Sequence, residues 1–252
     1  MAGHSHAANI MYRKAAVDRK RSKAFSKLTR MLTVAARLGG GDPAANPRLR
    51  LAIEKARVVS MTKDTIERAI QKGTGASDGA GYEELTYEGY GPGGVAVILE
   101  LLTDNKHRTA PEIRNVFDRW GGNLGATGSV SWIFDRVATF LVAGGTGVDE
   151  TSFMEIALAA GAEDLVVAAG GFEIRAAAAA FLEVKQRLEA SGVQVLAAEV
   201  GQLAKNRLVV GDPALAQQVV GLLDELEDHD DVQHVYSNAE LPAEGIQRVG
   251  AT

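Results

Sequence analysis

Residues 138–200 carry the pattern that most restricts how this chain can fold, an alternation of strand-like and helical segments. The spacing of apolar residues predicts a strand at 138–142, a helix at 149–160, strands at 165–168 and 172–175, a helix at 176–190 and a strand at 193–200. This βαββαβ order is typical of a ferredoxin-like unit. Gly170-Gly171 suits a tight hairpin turn between the two middle strands. We therefore expect a ferredoxin-like domain over residues 137–203.

The first part of the chain has a helical pattern instead. Apolar residues recur at intervals of three and four between 18 and 38, which predicts one amphipathic helix. Asn46-Pro47 suits the N-cap and first position of a second helix. A third helix is predicted over 63–72, with Gly73 ending it. Three helices joined by short loops predict a small bundle within residues 1–75.

Segments on both sides of the ferredoxin-like unit complete the predicted fold. The pattern predicts strands at 85–88, 95–102 and 129–134, a helix at 111–120 and, near the end of the chain, a helix at 213–226 and a strand at 232–236. The last two segments cannot form a core alone. We therefore expect residues 79–136 plus 204–240 to form a middle α/β domain that contains the inserted unit. The predicted fold class is α+β, an N-terminal three-helix bundle followed by two α/β domains.

Charge divides along the chain in the same way. Residues 1–75 contain 16 Lys/Arg and 5 Asp/Glu, whereas residues 76–252 contain 11 and 27. The net charges are therefore +11 and −16, which is typical of a cationic binding module joined to an acidic body. The alternative is a bundle whose lysines and arginines only keep its surface soluble, although such a surface normally mixes both signs.

The cations of the bundle are the predicted nucleic-acid-binding residues. They are Arg13, Lys14, Arg19, Lys20, Arg21, Lys23, Lys27, Arg30, Arg37, Arg48 and Arg50. Such an array suits phosphates, because each neutralised phosphate releases condensed counterions. We expect Lys20, Arg21, Lys23 and Lys27 to contact phosphates and not base edges. We also expect their replacement by alanine to leave folding intact, because they flank the apolar stripe of the first helix.

Two loops of the middle domain form a second predicted contact. Residues 103–108 place polar and cationic groups at a helix start, where an anion is favoured. The residues concerned are Asn105, Lys106, Arg108 and, at the other end of the helix, Asn123. The alternative is structural, with the first loop acting as a helix cap and the second as a turn.

The sequence also argues against several other classes of protein. With no cysteine in the chain, disulfides, thiolate nucleophiles and Cys-based metal sites are excluded. The G-x-G-x-x-G string at 89–94 leads into a strand, so we interpret it as a turn. We interpret His4 and His6 as part of a disordered terminus and not as metal ligands. We expect no enzyme activity, no cofactor and no metal.

The sequence also leads to expectations about the cellular location of the protein and its partners. No apolar run is long enough for a membrane helix and no secretory signal is evident, so we expect a cytoplasmic protein that binds no membrane. Residues 137–203 contain 3 basic and 9 acidic residues and lack the aromatic, basic strands of RNA-binding ferredoxin-like domains. We therefore interpret this unit as a spacer or a contact for a protein partner.

Several strings together resemble the YebC/PmpR family. They are MAGHS at 1–5, RKAA at 13–16, GGGDP at 39–43, NPRLR at 46–50, KDTIERAI at 63–70, YEGYGPGG at 87–94, LTDN at 102–105, DVQ at 231–233 and VY at 235–236. The resemblance implies three domains and a cytoplasmic, DNA-binding transcriptional regulator. Relatives that act in translation, including the mitochondrial translational activator of cytochrome oxidase, imply an alternative. The chain departs from the family at His6-Ala7 and Met11-Tyr12, where two cations and an aromatic residue are lost, which weakens the case for contacts by residues 4–12.

The residues and the resemblance together lead to one expected function and two alternatives. We expect a non-enzymatic DNA-binding regulator of transcription. The first alternative is a ribosome-associated RNA-binding translation factor, because the charge pattern fits both kinds of target. The second is a protein-interaction scaffold that binds no nucleic acid.

Overall fold

The computed structural model describes residues 21–75, 81–143, 150–168 and 171–241. The helices in this part of the chain are α1 (Arg21–Gly39), α2 (Pro47–Val58), α3 (Lys63–Thr74), α4 (Lys106–Arg119), α5 (Glu150–Ala160), α6 (Phe181–Ala190) and α7 (Pro213–Asp228). The strands are β1 (Glu83–Tyr90), β2 (Ala96–Thr103), β3 (Asn123–Leu124), β4 (Phe134–Ala143), β5 (Asp164–Ala168), β6 (Gly171–Ala177), β7 (Val195–Ala204), β8 (Leu208–Val209), β9 (Val232–Ser237) and β10 (Ala239–Glu240). The predicted α+β class is confirmed.

The first three helices form the predicted bundle around an apolar core of their own. Buried residues of that core include Leu32, Leu49, Ile53 and Ile66. The predicted start of α2 is confirmed, since the Asn46 side chain accepts a hydrogen bond from Leu49 N at 3.0 Å. The same buried amide donates to the carbonyl oxygens that end α1, so one side chain satisfies both helix ends.

The prediction that Gly73 ends the third helix is wrong. Helix α3 continues to Thr74, and Gly73 is buried inside it. A Cβ atom at this position would lie 2.3 Å from the carbonyl oxygen of Thr33 in α1. Gly73 therefore allows α1 and α3 to approach each other closely. This long-range packing overrides the tendency of glycine to terminate a helix.

The first sheet has the strand order β3-β1-β2-β9. Strands β1 and β2 pair antiparallel, with Tyr87 opposite Leu99. A short 3-10 turn, Pro92–Gly94, joins them, so the interpretation of the glycine-rich string at 89–94 as a turn is confirmed. Strand β9, which follows the second sheet in sequence, pairs beside β2.

Helix α4 begins five residues before its predicted start. Asn105 is the N-cap and accepts a hydrogen bond from Arg108 N at 3.2 Å. Pro111 therefore lies inside the helix and not at its first position. The prediction relied on the preference of proline for the first turn, but the cap at Asn105 provides an earlier start.

The second sheet has the strand order β5-β6-β4-β7, and every neighbouring pair is antiparallel. Together with helices α5 and α6 between the strands, this is the predicted ferredoxin-like arrangement. Phe140 stacks on Phe181 at 5.4 Å and Phe153 stacks on Phe172 at 4.5 Å between ring centroids, which packs the helices on one face of the sheet.

The predicted strand at 129–134 is wrong. The chain makes a 3-10 turn at Ser131–Ile133, and Phe134 then begins β4, which also covers the strand predicted at 138–142. Val130, Ile133 and Phe134 are all buried, but only Phe134 belongs to a strand, and the other two lie at the start and the end of the turn. A short apolar run does not distinguish a strand from such a turn.

Within the described residues, contacts divide the chain into two compact units. One consists of residues 21–129 with 218–235, and the other of residues 130–217 with 236–241. The bundle and the first sheet therefore belong to the same unit. Contacts between the bundle and the end of α7 lie inside that unit.

Candidate nucleic-acid interface

The structure separates the predicted nucleic-acid-binding cations into groups. Arg13, Lys14, Arg19 and Lys20 lie outside the described residues. Arg21 is the first residue of α1. The remaining six lie on the bundle, with Lys23, Lys27, Arg30 and Arg37 on α1 and Arg48 and Arg50 on α2.

Three cations of α1 point toward the end of α7. Lys23, Lys27 and Arg30 are spaced by four and three residues, which places them on one face of the helix. Lys27 Nζ donates to the carbonyl oxygen of Glu227 at 2.6 Å, and Lys23 Nζ donates to that of Asp228 at 3.1 Å. Arg30 donates to the carbonyl oxygen of Asp230. These residues therefore bind protein oxygen atoms in this structure.

The sequence of α7 explains why its end attracts cations. Its last turn contains no basic residue and carries Glu225, Glu227 and Asp228. The C-terminal end of a helix already has a partial negative charge and unpaired carbonyl groups, so acidic residues there are unfavourable. The side chains of α1 provide the positive charge and the donors that α7 lacks.

Asp231, which follows α7, is the most strongly bound carboxylate of this region. Its side chain is 2% exposed. One oxygen accepts hydrogen bonds from Thr109 at 2.7 Å, Arg108 at 3.0 Å and Thr103 at 3.1 Å. The other oxygen accepts from Arg30 at 2.7 Å. The carboxylate therefore joins α1, α4 and β2.

These partners decide the charge of Asp231. Burial raises its pKa, but the hydrogen bonds from Thr109, Arg108 and Thr103 and the charge of Arg30 outweigh that effect. The pKa of Asp231 therefore lies below its usual value, and the side chain is ionised at neutral pH.

The pKa of Lys27 is lowered as well, but for a lysine this shift favours the neutral form and not the charged one. Burial lowers its pKa to about 8, although the charges of Glu227, Asp228 and Asp230 partly oppose that change. That replacement of Lys20, Arg21, Lys23 and Lys27 leaves folding intact therefore stays a prediction, and at Lys27 it has to allow for a partly buried side chain with a protein partner. Helical periodicity places this residue beside the apolar stripe, but it does not reveal the partner 200 residues away.

Other cations of the bundle face solvent. Arg37 and Arg50, both predicted, are exposed, and neither side chain has a hydrogen-bond or ion-pair partner among the described residues. The same is true of the side chains of Arg57 and Lys72 within the described residues, and neither residue was among those predicted. Their place outside the apolar stripes of α2 and α3 was the signal that could have identified them. Arg48 is different, because it pairs with Glu84 of β1.

The predicted second contact does not form one site. Asn105 caps α4, Lys106 pairs with Glu83 at 3.4 Å, and Arg108 binds Asp231. Asn123 lies beyond the other end of α4, in β3. A helix of 14 residues is about 21 Å long, so Asn105 and Asn123 are widely separated. The cap at Asn105 agrees with the structural alternative for the first loop.

Glu112, His229 and Asp231 lie close enough together for a metal ion. His229 Nδ1 accepts a hydrogen bond from Asp231 N at 3.2 Å, so the proton lies on Nε2, which is 3.1 Å from Glu112. The oxygens of Asp231 already bind Arg30, Arg108 and two threonines. Two neighbouring guanidinium groups oppose a further cation. This cluster is a network of hydrogen bonds and arginine–carboxylate ion pairs.

Among the described residues, no helix is both long and apolar enough to cross a membrane.

Comparison with known proteins extends over almost the whole chain. Residues 5–76 match the family model of the TACO1/YebC protein N-terminal domain, and residues 82–239 match that of the TACO1/YebC second and third domain. A protein of Halothermothrix orenii named "Probable transcriptional regulatory protein" is 50% identical over 99% of both chains. One of Pseudomonas syringae pv. tomato with the same name is 51% identical over 99% of this chain and all of its own.

A solved structure agrees with this similarity. The crystal structure of a conserved hypothetical protein from Aquifex aeolicus is 44% identical, with a TM-score of 0.83. The alignment covers 92% of this chain and 95% of that one.

Proposed function

Because the chain belongs to the TACO1/YebC family, we propose that it regulates gene expression by binding nucleic acid through the exposed cations of its bundle. The observation that carries the proposal is the division of charge, with net +11 in residues 1–75 against −16 in the rest. The regulatory role is supported by the name of the relatives, "Probable transcriptional regulatory protein". Duplex DNA is therefore the proposed target.

The surface proposed to bind nucleic acid consists of Arg37, Arg50, Arg57 and Lys72. These side chains are exposed, so a phosphate can approach them without displacing a partner in the described protein. Arg50 and Arg57 are seven residues apart, just under two helical turns, and thus share one face of α2. Cations in this arrangement follow a phosphate backbone and do not read bases.

The proposed mode of action is binding without catalysis. The titratable cluster around Asp231 and His229 supports this view, because its members are held by partners within the protein. A regulator of this kind would position or exclude other proteins on DNA.

The test is the salt dependence of binding by a double variant, Arg50→Gln with Arg57→Gln, in the full chain. For duplex DNA, the slope of log affinity against log salt should fall by up to about 1.8, or about 0.9 for each lost phosphate contact. The matched control is Arg136→Gln with Arg207→Gln, which removes the same charge from the acidic part of the chain. Its slope should equal that of the unmodified protein.

Equal slopes for both double variants would contradict the proposed surface. Ribosomal RNA fragments should be measured beside the duplexes. Tighter binding to structured RNA than to any duplex at the same salt would contradict DNA as the target.

A further inference from the structure

The end of α7 offers α1 a row of oxygen atoms that resembles a nucleic-acid backbone in its chemistry. Residues 224–231 contain six carboxylates, and the carbonyl groups of Glu227, Asp228 and Asp230 face the cations of α1. Lysine and arginine bind phosphate oxygens through the same donors and the same charge. Lys27 and Arg30 therefore have few donors left for phosphates while they bind the end of α7, and those of Lys23 are partly occupied.

This contact is polar and partly accessible to solvent. The apolar core of the bundle consists of residues of α1, α2, α3 and the turn before α3. The contact with α7 is made by long cationic side chains and oxygen atoms. Lys23 is 45% exposed and Asp228 is 37% exposed, so water and anions reach the outer part of the contact. The bundle can therefore leave α7 without losing its own core.

We propose that residues 227–231 form an autoinhibitory latch that competes with nucleic acid for Lys23, Lys27 and Arg30. The proposal rests on the nucleic-acid binding proposed above and adds its regulation. In the closed state only the exposed cations of the bundle meet phosphate. In the open state the three cations of α1 join them and extend the phosphate contact.

With such a latch, the apparent affinity for nucleic acid equals the affinity of the open state multiplied by the fraction of molecules that are open. The latch also favours long, highly charged targets, because several phosphates at once must replace the oxygens of α7. Isolated anions, which compete one at a time, open it less readily.

A removable crosslink tests the latch directly. Because the chain contains no cysteine, Lys23→Cys with Asp228→Cys creates a single pair of thiols across the contact. A bismaleimide with a central disulfide then holds α1 against α7 until a reductant cleaves it. The bridged protein should bind duplex DNA about tenfold more weakly than the same protein after cleavage.

The matched control places the same bridge inside the bundle. A Cβ at Gly41 would lie 3.0 Å from Thr74 Cγ2, so Gly41→Cys with Thr74→Cys joins two segments without touching α7. Cleavage of this bridge should leave the affinity unchanged.

A charge variant provides independent evidence. Glu227→Gln, Asp228→Asn and Asp230→Asn together weaken the attraction for α1 and should strengthen DNA binding several-fold. Glu155→Gln, Glu163→Gln and Glu183→Gln change the net charge equally at exposed sites elsewhere. The latch requires a larger gain from the first set than from the second.

The outcomes distinguish the two proposals. If the bridged and cleaved proteins bind DNA equally well, and the two charge sets act alike, the latch is wrong and the proposed function stands. If neither the bridged nor the cleaved protein binds DNA or RNA at low salt, the proposed function is wrong, and the latch proposal, which rests on it, is wrong as well.

Discussion

The inner and outer cations of the bundle carry the same charge in very different surroundings. Lys23, Lys27 and Arg30 bind carbonyl and carboxylate oxygens at the end of α7. Arg50 and Arg57 face solvent on α2. The inner group therefore joins parts of the protein, whereas the outer group is available to a ligand in this structure.

The difference shows that cationic residues of one sequence pattern can have two kinds of surroundings, protein oxygen atoms or solvent. A long side chain with its charge at the tip bridges separate elements as well as it meets phosphate. The exposure of the cationic side chain and the charge of its nearest neighbours determine whether it bridges two elements or can contact phosphate. Three predictions test that distinction, from the largest expected effect to the smallest.

Replacement of Asp231 by alanine should have the largest effect on stability. The change leaves Arg30 and Arg108 without their shared carboxylate and removes an acceptor from two buried threonine hydroxyls. Loss of one partner of a buried ion pair costs about 3 to 5 kcal/mol. The free energy of unfolding, measured in urea at pH 7, should fall by that amount.

The control for this variant is Asp104→Ala. Asp104 also pairs with Arg108 but is exposed, so its loss should cost no more than about 0.5 kcal/mol. The pKa of Asp231 is lowered on folding. Its stabilisation is therefore complete above the ordinary carboxyl pKa and is lost as the pH falls through the lower folded value. A loss below about 1 kcal/mol at pH 7 would show that Asp231 does not hold the inner group in place.

Replacement of Lys27 by methionine should have a smaller effect on the free energy of unfolding, and that effect should depend on pH. The folded pKa of Lys27 is about 8, against an ordinary value of 10.5. Between these values the unfolded chain binds a proton that the folded chain does not, so the stability of the folded protein rises with pH. Relative to Lys27→Met, the unmodified protein should gain up to about 3 kcal/mol across this range.

The measurement is urea unfolding of both proteins at several pH values from 7 to 10.5. Lys72→Met, at an exposed position of α3, controls for the loss of a lysine. A stability difference between the unmodified protein and Lys27→Met that stays constant over the range would mean that Lys27 is not buried as described.

Local patterns predicted most of the fold. Asn46-Pro47 identified the start of α2, because capping depends on neighbouring residues alone. The order of segments over 138–200 identified the ferredoxin-like unit for the same reason. Gly73 was misinterpreted, because its role depends on Thr33 of another helix. The same limit applies to residues 129–134, where buried apolar residues form a turn.

The candidate interface was less predictable than the fold. The cations were found from charge alone, but their division into inner and outer groups depends on residues 227–231, about 200 positions away. Periodicity identifies the apolar face of a helix, but it does not predict which residues contact the other faces. Asp231 was absent from the predicted site for that reason, since its partners come from three separate elements.

The outer cations provide the smallest expected effect on stability and so the sharpest contrast with the inner group. Arg50→Gln and Arg57→Gln, singly or together, should leave the free energy of unfolding within about 0.5 kcal/mol of the unmodified value, because exposed side chains without partners contribute little. The same urea measurements provide the comparison with Asp231→Ala and Lys27→Met. A loss above about 1 kcal/mol would mean that Arg50 or Arg57 has a structural partner, and a weaker DNA affinity in that variant would no longer indicate a phosphate contact. Unchanged stability combined with a reduced salt slope is therefore the result that assigns the outer face of α2 to the ligand and not to the fold.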